Sequence, residues 1–386
     1  NISFYSLFRR YSNIMNTENL IKKVTIILIL KVLATVVIGN EKKFTLEEIN
    51  RFALQGVDSK VYTNKDLIGE RGTLLIFLSN HCKISQIFQK KLVECSEEWK
   101  SGGIKILVFS PNFEKAILPD ELAYSDSGDS FQEMKERALS ESYNFPYIYD
   151  GKEQIVTKSL EVKITPSAYL YDSLGKIIYS GRLGNHEKPE EIKNGELNQN
   201  IKRLMNGEKV EFNRTRNFGT AVKFEKDLYL AENVKRRYSG ETIQINYADE
   251  RRLNFFIKQK TNYPKFFYIW SLHENQKQNR ENLITISSKY KIFRKRGLKV
   301  YTICICKEEE REDALEILKQ AQLSSYNYYS LGKEISEISK LRSSEGEKTT
   351  PFCRLLTGDN NFKFGTNGLI KEKILTVSFL QTLNAN

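Results

Sequence analysis

The hydrophobic pattern predicts an α/β chain of two tandem units, each a central mixed sheet flanked by helices. Three observations carry this reading. Apolar runs short enough to be buried strands alternate with segments of helical period. The alternation occurs twice in the same order, as a repeat of pattern and not of close sequence. The 386 residues, 28% charged and 40% hydrophobic, suit two ordinary cores and not a disordered chain. The expected boundaries are 1–39 for a hydrophobic N-terminal segment, 40–225 for the first unit and 226–386 for the second.

In the first unit, residues 74–79 read as a buried strand, 84–99 as a helix and 104–110 as a second buried strand. Ile84, Phe88, Leu92, Cys95 and Trp99 recur at helical spacing, which makes Cys95 a small core residue on the apolar face. The polar stretch 119–130, with Asp120, Glu121, Asp126 and Asp129, reads as a surface insertion or helix entry whose carboxylates are solvated, since they fit no calcium-loop spacing. A helix at 131–142, a short strand at 147–149, a helix at 155–162, a hairpin of 167–171 with 176–180 and a helix near 198–205 complete the unit. The second unit repeats the order with helix 247–258, strand 266–270, helix 279–294, strand 298–306 and helix 310–320. Thr350 and Pro351 then precede a hairpin of 352–356 with 361–364. Cys304 and Cys306 lie two apart on a strand, share a face and read as core packing, in poor geometry for a mutual disulfide.

The net charge of +12 is spread along the chain with no recognition motif beside it. Solvated faces account for it, and no nucleic-acid partner is expected. The five cysteines, Cys82, Cys95, Cys304, Cys306 and Cys353, show neither metal-ligand spacing nor the even number of a disulfide framework, so no metal or cofactor is expected. His186 and His273 lie far in sequence from Cys82, which gives a Cys-His hydrolase little support. Residues 15–39 resemble a secretory signal, in which Lys22 and Lys23 precede an apolar run at 24–38 and Gly39 offers a small residue for cleavage. That run is shorter than the roughly 20 residues of a spanning helix and Lys31 interrupts it. The expected location is extracytoplasmic, secreted or membrane-associated through this segment. A rival reading takes residues 1–14, with Arg9, Arg10 and no acids, as a mitochondrial presequence.

Ser79, Asn80, His81 and Cys82 stand where the first strand hands over to its helix. That is the layout of a thioredoxin-type redox site, with sulfur at only the second position of the Cys-x-x-Cys pair. Several segments extend the likeness: 75–82 (Leu-Ile-Phe-Leu-Ser-Asn-His-Cys), 129–137, 144–150, 164–167 (Ile-Thr-Pro-Ser), 170–172 and 179–182 follow in order. Over residues 45–225 the chain resembles the thioredoxin-like redoxin branch of the alkyl hydroperoxide reductase/thiol-specific antioxidant family. The resemblance implies a cis-proline at Thr165-Pro166, facing the thiol and bordering a groove for a protein or peptide partner. Thr350-Pro351 looks like its counterpart in the second unit, which resembles thioredoxin folds only generally.

The departures bear on function. Ser79 replaces the first cysteine and Lys83 the following proline. Thr220, in Phe-Gly-Thr-Ala-Val-Lys-Phe at 218–224, stands at another cysteine position of the branch. In the second unit 270–275, Trp-Ser-Leu-His-Glu-Asn, has no sulfur where a Cys-x-x-Cys would lie. Dithiol exchange needs a thiolate to attack and a second thiol to resolve the mixed disulfide, so reductase activity is not expected. The first reading is a binding or assembly scaffold. The alternative is a single-cysteine thiol peroxidase or redox sensor, because peroxiredoxins use Thr/Ser-x-x-Cys with the thiol second. In that reading Cys82 is the catalytic thiol, Ser79 its hydroxyl neighbour, His81 a cation beside it, and an external thiol the reductant. Leu75 stands where that signature has a proline.

Overall fold

The computed structural model describes residues 45–331 and 350–385. The segments read as targeting signals lie outside the described residues. In the first unit the chain runs β1 (Ala53–Gln55), β2 (Val61–Thr63), β3 (Gly72–Phe77), α1 (Lys83–Ser101), β4 (Ile104–Ser110), α2 (Phe131–Ser140), β5 (Tyr147–Tyr149), α3 (Ile155–Ser159), β6 (Ile164–Thr165), β7 (Ser167–Asp172), β8 (Ile177–Gly181), α4 (Glu196–Met205), β9 (Asn213–Arg214) and β10 (Thr220–Ala221). The second continues with α5 (Leu228–Ser239), β11 (Asn246–Tyr247), α6 (Glu250–Lys258), β12 (Lys265–Ser271), α7 (Gln276–Phe293), β13 (Lys299–Ile305), α8 (Arg311–Gln320), β14 (Tyr326–Ser330), β15 (Phe352–Leu356), β16 (Phe362–Asn367) and α9 (Glu372–Asn384).

Each unit has its own six-stranded mixed sheet, of order β5-β4-β3-β7-β8-β9 and β11-β14-β13-β12-β15-β16. The sub-order β5-β4-β3-β7-β8 corresponds strand for strand to β14-β13-β12-β15-β16. In both, the central strand is parallel to one neighbour and antiparallel to the other. The bonds Thr165–Pro166 and Thr350–Pro351, each at the entry to the antiparallel strand, are cis. The chain is therefore a tandem thioredoxin-like α/β protein. Central strands of parallel neighbours are buried on both faces, which is why β3 and β12 read as unbroken apolar runs and are buried throughout. Strand β3 ends at Phe77, two residues before the sequence expectation, because the chain leaves the ladder to enter the turn into α1.

The two cores are separate. Phe88, Leu92, Cys95 and Trp99 of α1 pack on β3 and β4 in the first, and Trp270, Leu283, Ile286 and Phe379 join β12, α7 and α9 in the second. Lys265 opens β12 fully buried, and its Nζ donates to Phe256 O, Ile257 O and Gln259 O at 3.0, 3.1 and 2.7 Å. It thus serves as a cationic C-cap on α6, and burial lowers its pKa to about 8. Lys265→Met should lower stability by about 2 kcal/mol, because three carbonyls lose their shared donor. A melting temperature equal to that of the wild type would show that water replaces the ammonium without loss.

One expectation is corrected. The stretch 119–130 is not a freely solvated insertion, because Pro119–Tyr124 form a 3-10 helix and Ala123, Ser125 and Asp129 are buried. The described residues from Leu46 onward pack as one compact body carrying both sheets, and Ala123 inserts into the second unit's core.

Candidate functional site

Cys82 is the N-cap of α1 and is fully buried. Its sulfur accepts from the Ser85 N–H at 3.5 Å, and its S–H donates to Thr165 O at 3.1 Å, on the residue before the cis-proline. The sulfur thus occupies both the helix end and the groove floor.

Ser79 is bonded to Asp129, a buried carboxylate brought in by the N-terminus of α2. Ser130 and Glu133 form a reciprocal cap there, with Ser130 Oγ accepting from the Glu133 N–H and Glu133 Oε2 accepting from the Ser130 N–H. That cap fixes the preceding residue. Asp129 Oδ2 then accepts from Ser79 Oγ at 2.8 Å, His81 Nδ1 at 2.8 Å and Asn112 Nδ2 at 2.6 Å. Its Oδ1 accepts the Asn80 N–H at 2.5 Å and the His81 N–H at 3.4 Å.

Burial alone would raise the Asp129 pKa, but the His81 charge and the bonds from His81, Ser79 and Asn112 outweigh it and leave it lowered. Burial likewise opposes charge on His81, and the attraction and hydrogen bond of Asp129 outweigh that and leave its pKa raised. Both shifts favour the charged forms of the pair, carboxylate and imidazolium.

This constellation is not a hydrolase relay. Such a relay needs the carboxylate and the nucleophile's hydroxyl on opposite ring nitrogens. Here Asp129 and Ser79 both meet Nδ1, the latter at 2.9 Å, while the buried Nε2 has no partner among the described residues. The cluster holds the loop backbone, and the carboxylate and the Ser79 hydroxyl share one ring nitrogen instead of being relayed through two.

The groove edge beside Pro166 is already paired. Thr165 and Ile164 face Thr220 and Ala221 in an antiparallel ladder, extended by Val222 N–H to Lys163 O at 2.9 Å. Gly219 makes this approach with φ +148°, and a Cβ there would lie 1.9 Å from Thr165 O. Asn112 Oδ1 anchors the segment by accepting the Lys223 N–H at 2.8 Å. An incoming peptide strand would have to displace Thr220 and Ala221.

The second unit reaches a similar end with different residues. Glu274 Oε2 accepts the Thr350 N–H at 3.1 Å and its hydroxyl at 2.5 Å, and Asn275 Nδ2 donates to Thr350 O at 2.7 Å. The loop that would carry Cys-x-x-Cys thus caps its own cis-proline turn. Burial pushes the Cys353 thiol up to about 12, and a hydrogen bond with Cys306 together with burial pushes Cys304 up. All five cysteines are free and buried, so no disulfide-forming pair exists.

Ser79, His81, Cys82, Thr165 and Pro166 are thus brought into one site, while Thr350 and Pro351 belong to the other sheet. Asp129 and Asn112 are additions of the tertiary structure. The signal that could have marked Asp129 is its place directly before the Ser130-x-x-Glu133 helix start. Among the described residues no group of three His, Cys, Asp or Glu side chains could hold a metal ion, and no helix is long and apolar enough to cross a membrane.

No protein-family model matches the chain, and no curated protein matches it. Solved structures with a similar fold include an uncharacterized conserved protein from Geobacillus kaustophilus, 24% identical over 47% of this chain and 92% of its own, with a TM-score of 0.39. A hypothetical protein from Sinorhizobium meliloti 1021 is 18% identical over 46% and 92%, TM-score 0.40. The Xanthomonas campestris bacterioferritin comigratory protein, described for its alkyl peroxide reduction activity, is 14% identical over 41% and 92%, TM-score 0.31. The sheet orders, and not these overlaps, carry the fold.

Proposed function

We propose that this chain is a redoxin-like member of the thioredoxin fold that works as a binding or assembly scaffold, without dithiol reductase activity. The observation that carries the reading is the commitment of both halves of the motif: Ser79 is bonded to Asp129, and the unpaired Cys82 thiol is buried against Thr165 O. A fold whose reactive positions are used to hold its own loop retains its surface for recognition. The partner is a protein or peptide; at the groove beside Pro166 it would bind by exchanging with Thr220 and Ala221. The apolar run 24–38 supports an extracytoplasmic or membrane-associated setting for that assembly, with a mitochondrial one as the rival.

The test is a disulfide-reduction assay on purified protein beside co-purification of partners. No turnover is expected, and a stoichiometric partner should be retained in Cys82→Ser. Substantial turnover abolished by Cys82→Ser would overturn the reading.

A second reading is favoured by the Ser85 N–H directed at the Cys82 sulfur at a helix N-terminus. In it Cys82 reduces a hydroperoxide, giving sulfenic acid and an alcohol. Two external thiols then return the sulfenic acid to thiol with release of their disulfide and water. Its mark is a 16-dalton gain on Cys82 after about one equivalent of peroxide, trapped by a sulfenic-acid reagent.

A further inference from the structure

Phe267, Tyr301 and Tyr326 are cross-strand neighbours on β12, β13 and β14. Their rings form one ladder, with Phe267 and Tyr301 5.1 Å apart at 15° and Tyr301 and Tyr326 5.2 Å apart at 21°. Phe267 is fully buried, Tyr301 half-buried and Tyr326 43% exposed, so the ladder runs from the core to solvent. Helix α6 covers the inner part of this sheet face through Phe256, whose ring lies 5.1 Å from Tyr301 and 4.8 Å from Tyr328. The pairing of β14 with β11 begins only at Tyr328, so among the described residues no strand lies beyond Tyr326.

Lys299 lies two residues before Tyr301 on β13 and shares its face. Its Nζ is 5.8 Å from the centre of the Tyr326 ring and 5.8 Å from that of Tyr263, which is 48% exposed. Tyr263 packs against Gly297, where a Cβ would lie 2.1 Å from the ring. Lys299 makes no ion pair among the described residues. Glu241, the carboxylate bonded to Ser324 just before β14, is taken up by two bonds from Arg294 at 2.8 and 2.7 Å.

Two exposed rings flanking one ammonium, and so at most about 12 Å apart, match the base–phosphate–base order of a single nucleic-acid strand. We infer that this face binds single-stranded nucleic acid, with one base stacking on Tyr326, the next on Tyr263 and the phosphate between them at Lys299. Every base has a π-face, so binding tolerates sequence, and a duplex, whose bases already stack on one another, cannot use the rings. The net charge of +12 draws a polyanion toward the chain, and the rings select the single strand. Along the chain that charge reads as solvated and no nucleic-acid partner is expected; the ladder exists only through strand pairing, which local pattern does not show. The face belongs to the second unit and uses neither Cys82 nor the groove beside Pro166, so loss of binding here and failure of the proposed function are distinguishable.

The test is fluorescence anisotropy of the full chain with labelled oligo-U and oligo-dT of about ten nucleotides, across a salt series. Both Tyr326→Ala and Tyr263→Ala should weaken binding about fivefold to a hundredfold, and Tyr326→Phe should stay close to wild type. Lys299→Gln should lower the slope of log affinity against log salt by about 0.7, the share of one phosphate on a single strand. Where Tyr326→Ala fails to fold, Lys299→Gln carries the test through that slope. Absence of binding, an affinity and salt slope unchanged in Tyr326→Ala and Lys299→Gln, or equal affinity for a duplex, polyglutamate or anionic vesicles overturns the inference.

Discussion

Asp129→Ala is expected to cost about 3–5 kcal/mol of stability, read as a large fall in the urea midpoint, because it breaks a buried ion pair by removing one partner. The loss is large because one carboxylate satisfies five donors: the Ser79 hydroxyl, two backbone N–H groups of the loop, the His81 ring and the Asn112 amide. Without it those donors are left buried and without their shared acceptor. Asp129→Asn should cost less, since an amide oxygen still accepts. A loss under about 1 kcal/mol for the alanine variant would place the cluster among surface-like contacts and undo the argument for its role.

The same pair sets a pH dependence. Asp129 has a lowered pKa in the fold, so its contribution is present above the unfolded carboxyl value and is lost as pH falls through the folded one. His81 has a raised pKa, so its contribution is fully present below the ordinary imidazole value and is lost as pH rises through the folded one. Stability from this cluster therefore peaks between the two transitions. Both limbs should disappear in Asp129→Ala, and an alkaline limb that persists there would belong to another group.

Gly219→Ala should cost at least about 2 kcal/mol, from the strain of a positive φ together with overlap on Thr165 O that no rotamer relieves. The clash falls on backbone, so relief requires β10 to leave β6, and exchange at 163–166 should rise with the fall in melting temperature. Gly207 supplies the comparison, since its φ is +75° and a Cβ there meets nothing within 4 Å. Gly207→Ala should carry only the conformational penalty, about 1 kcal/mol. Equal losses at the two positions would mean that strain alone governs Gly219 and that the close approach to Thr165 is relaxed at no cost.

Much of the architecture is legible from local pattern. Strands β3 and β12 are continuous apolar runs because both faces are covered, and α1 shows its core face at helical spacing because Phe88, Leu92, Cys95 and Trp99 meet a single sheet. The errors lie in the polar segment 119–130, where charge suggests solvation. Periodicity is silent about a carboxylate that enters the interior, because its partners come from Ser79, Asn80, His81 and Asn112, up to 50 residues away along the chain. The same limit applies to Arg296, whose partners Ala123 and Leu383 lie 173 and 87 residues away.

The α/β alternation, its repetition and the absence of a Cys-x-x-Cys pair in either unit can be read along the chain, since periodicity and residue identity are local properties. What the surviving thiol faces emerges only on folding. That depends on long-range contacts: Thr165 O receives the Cys82 S–H, Thr220 closes the groove edge, and Asp129 takes the hydroxyl at the first position. Burying polar groups is tolerable only when each finds a partner, and those partners are supplied by chain folding and not by neighbours in sequence.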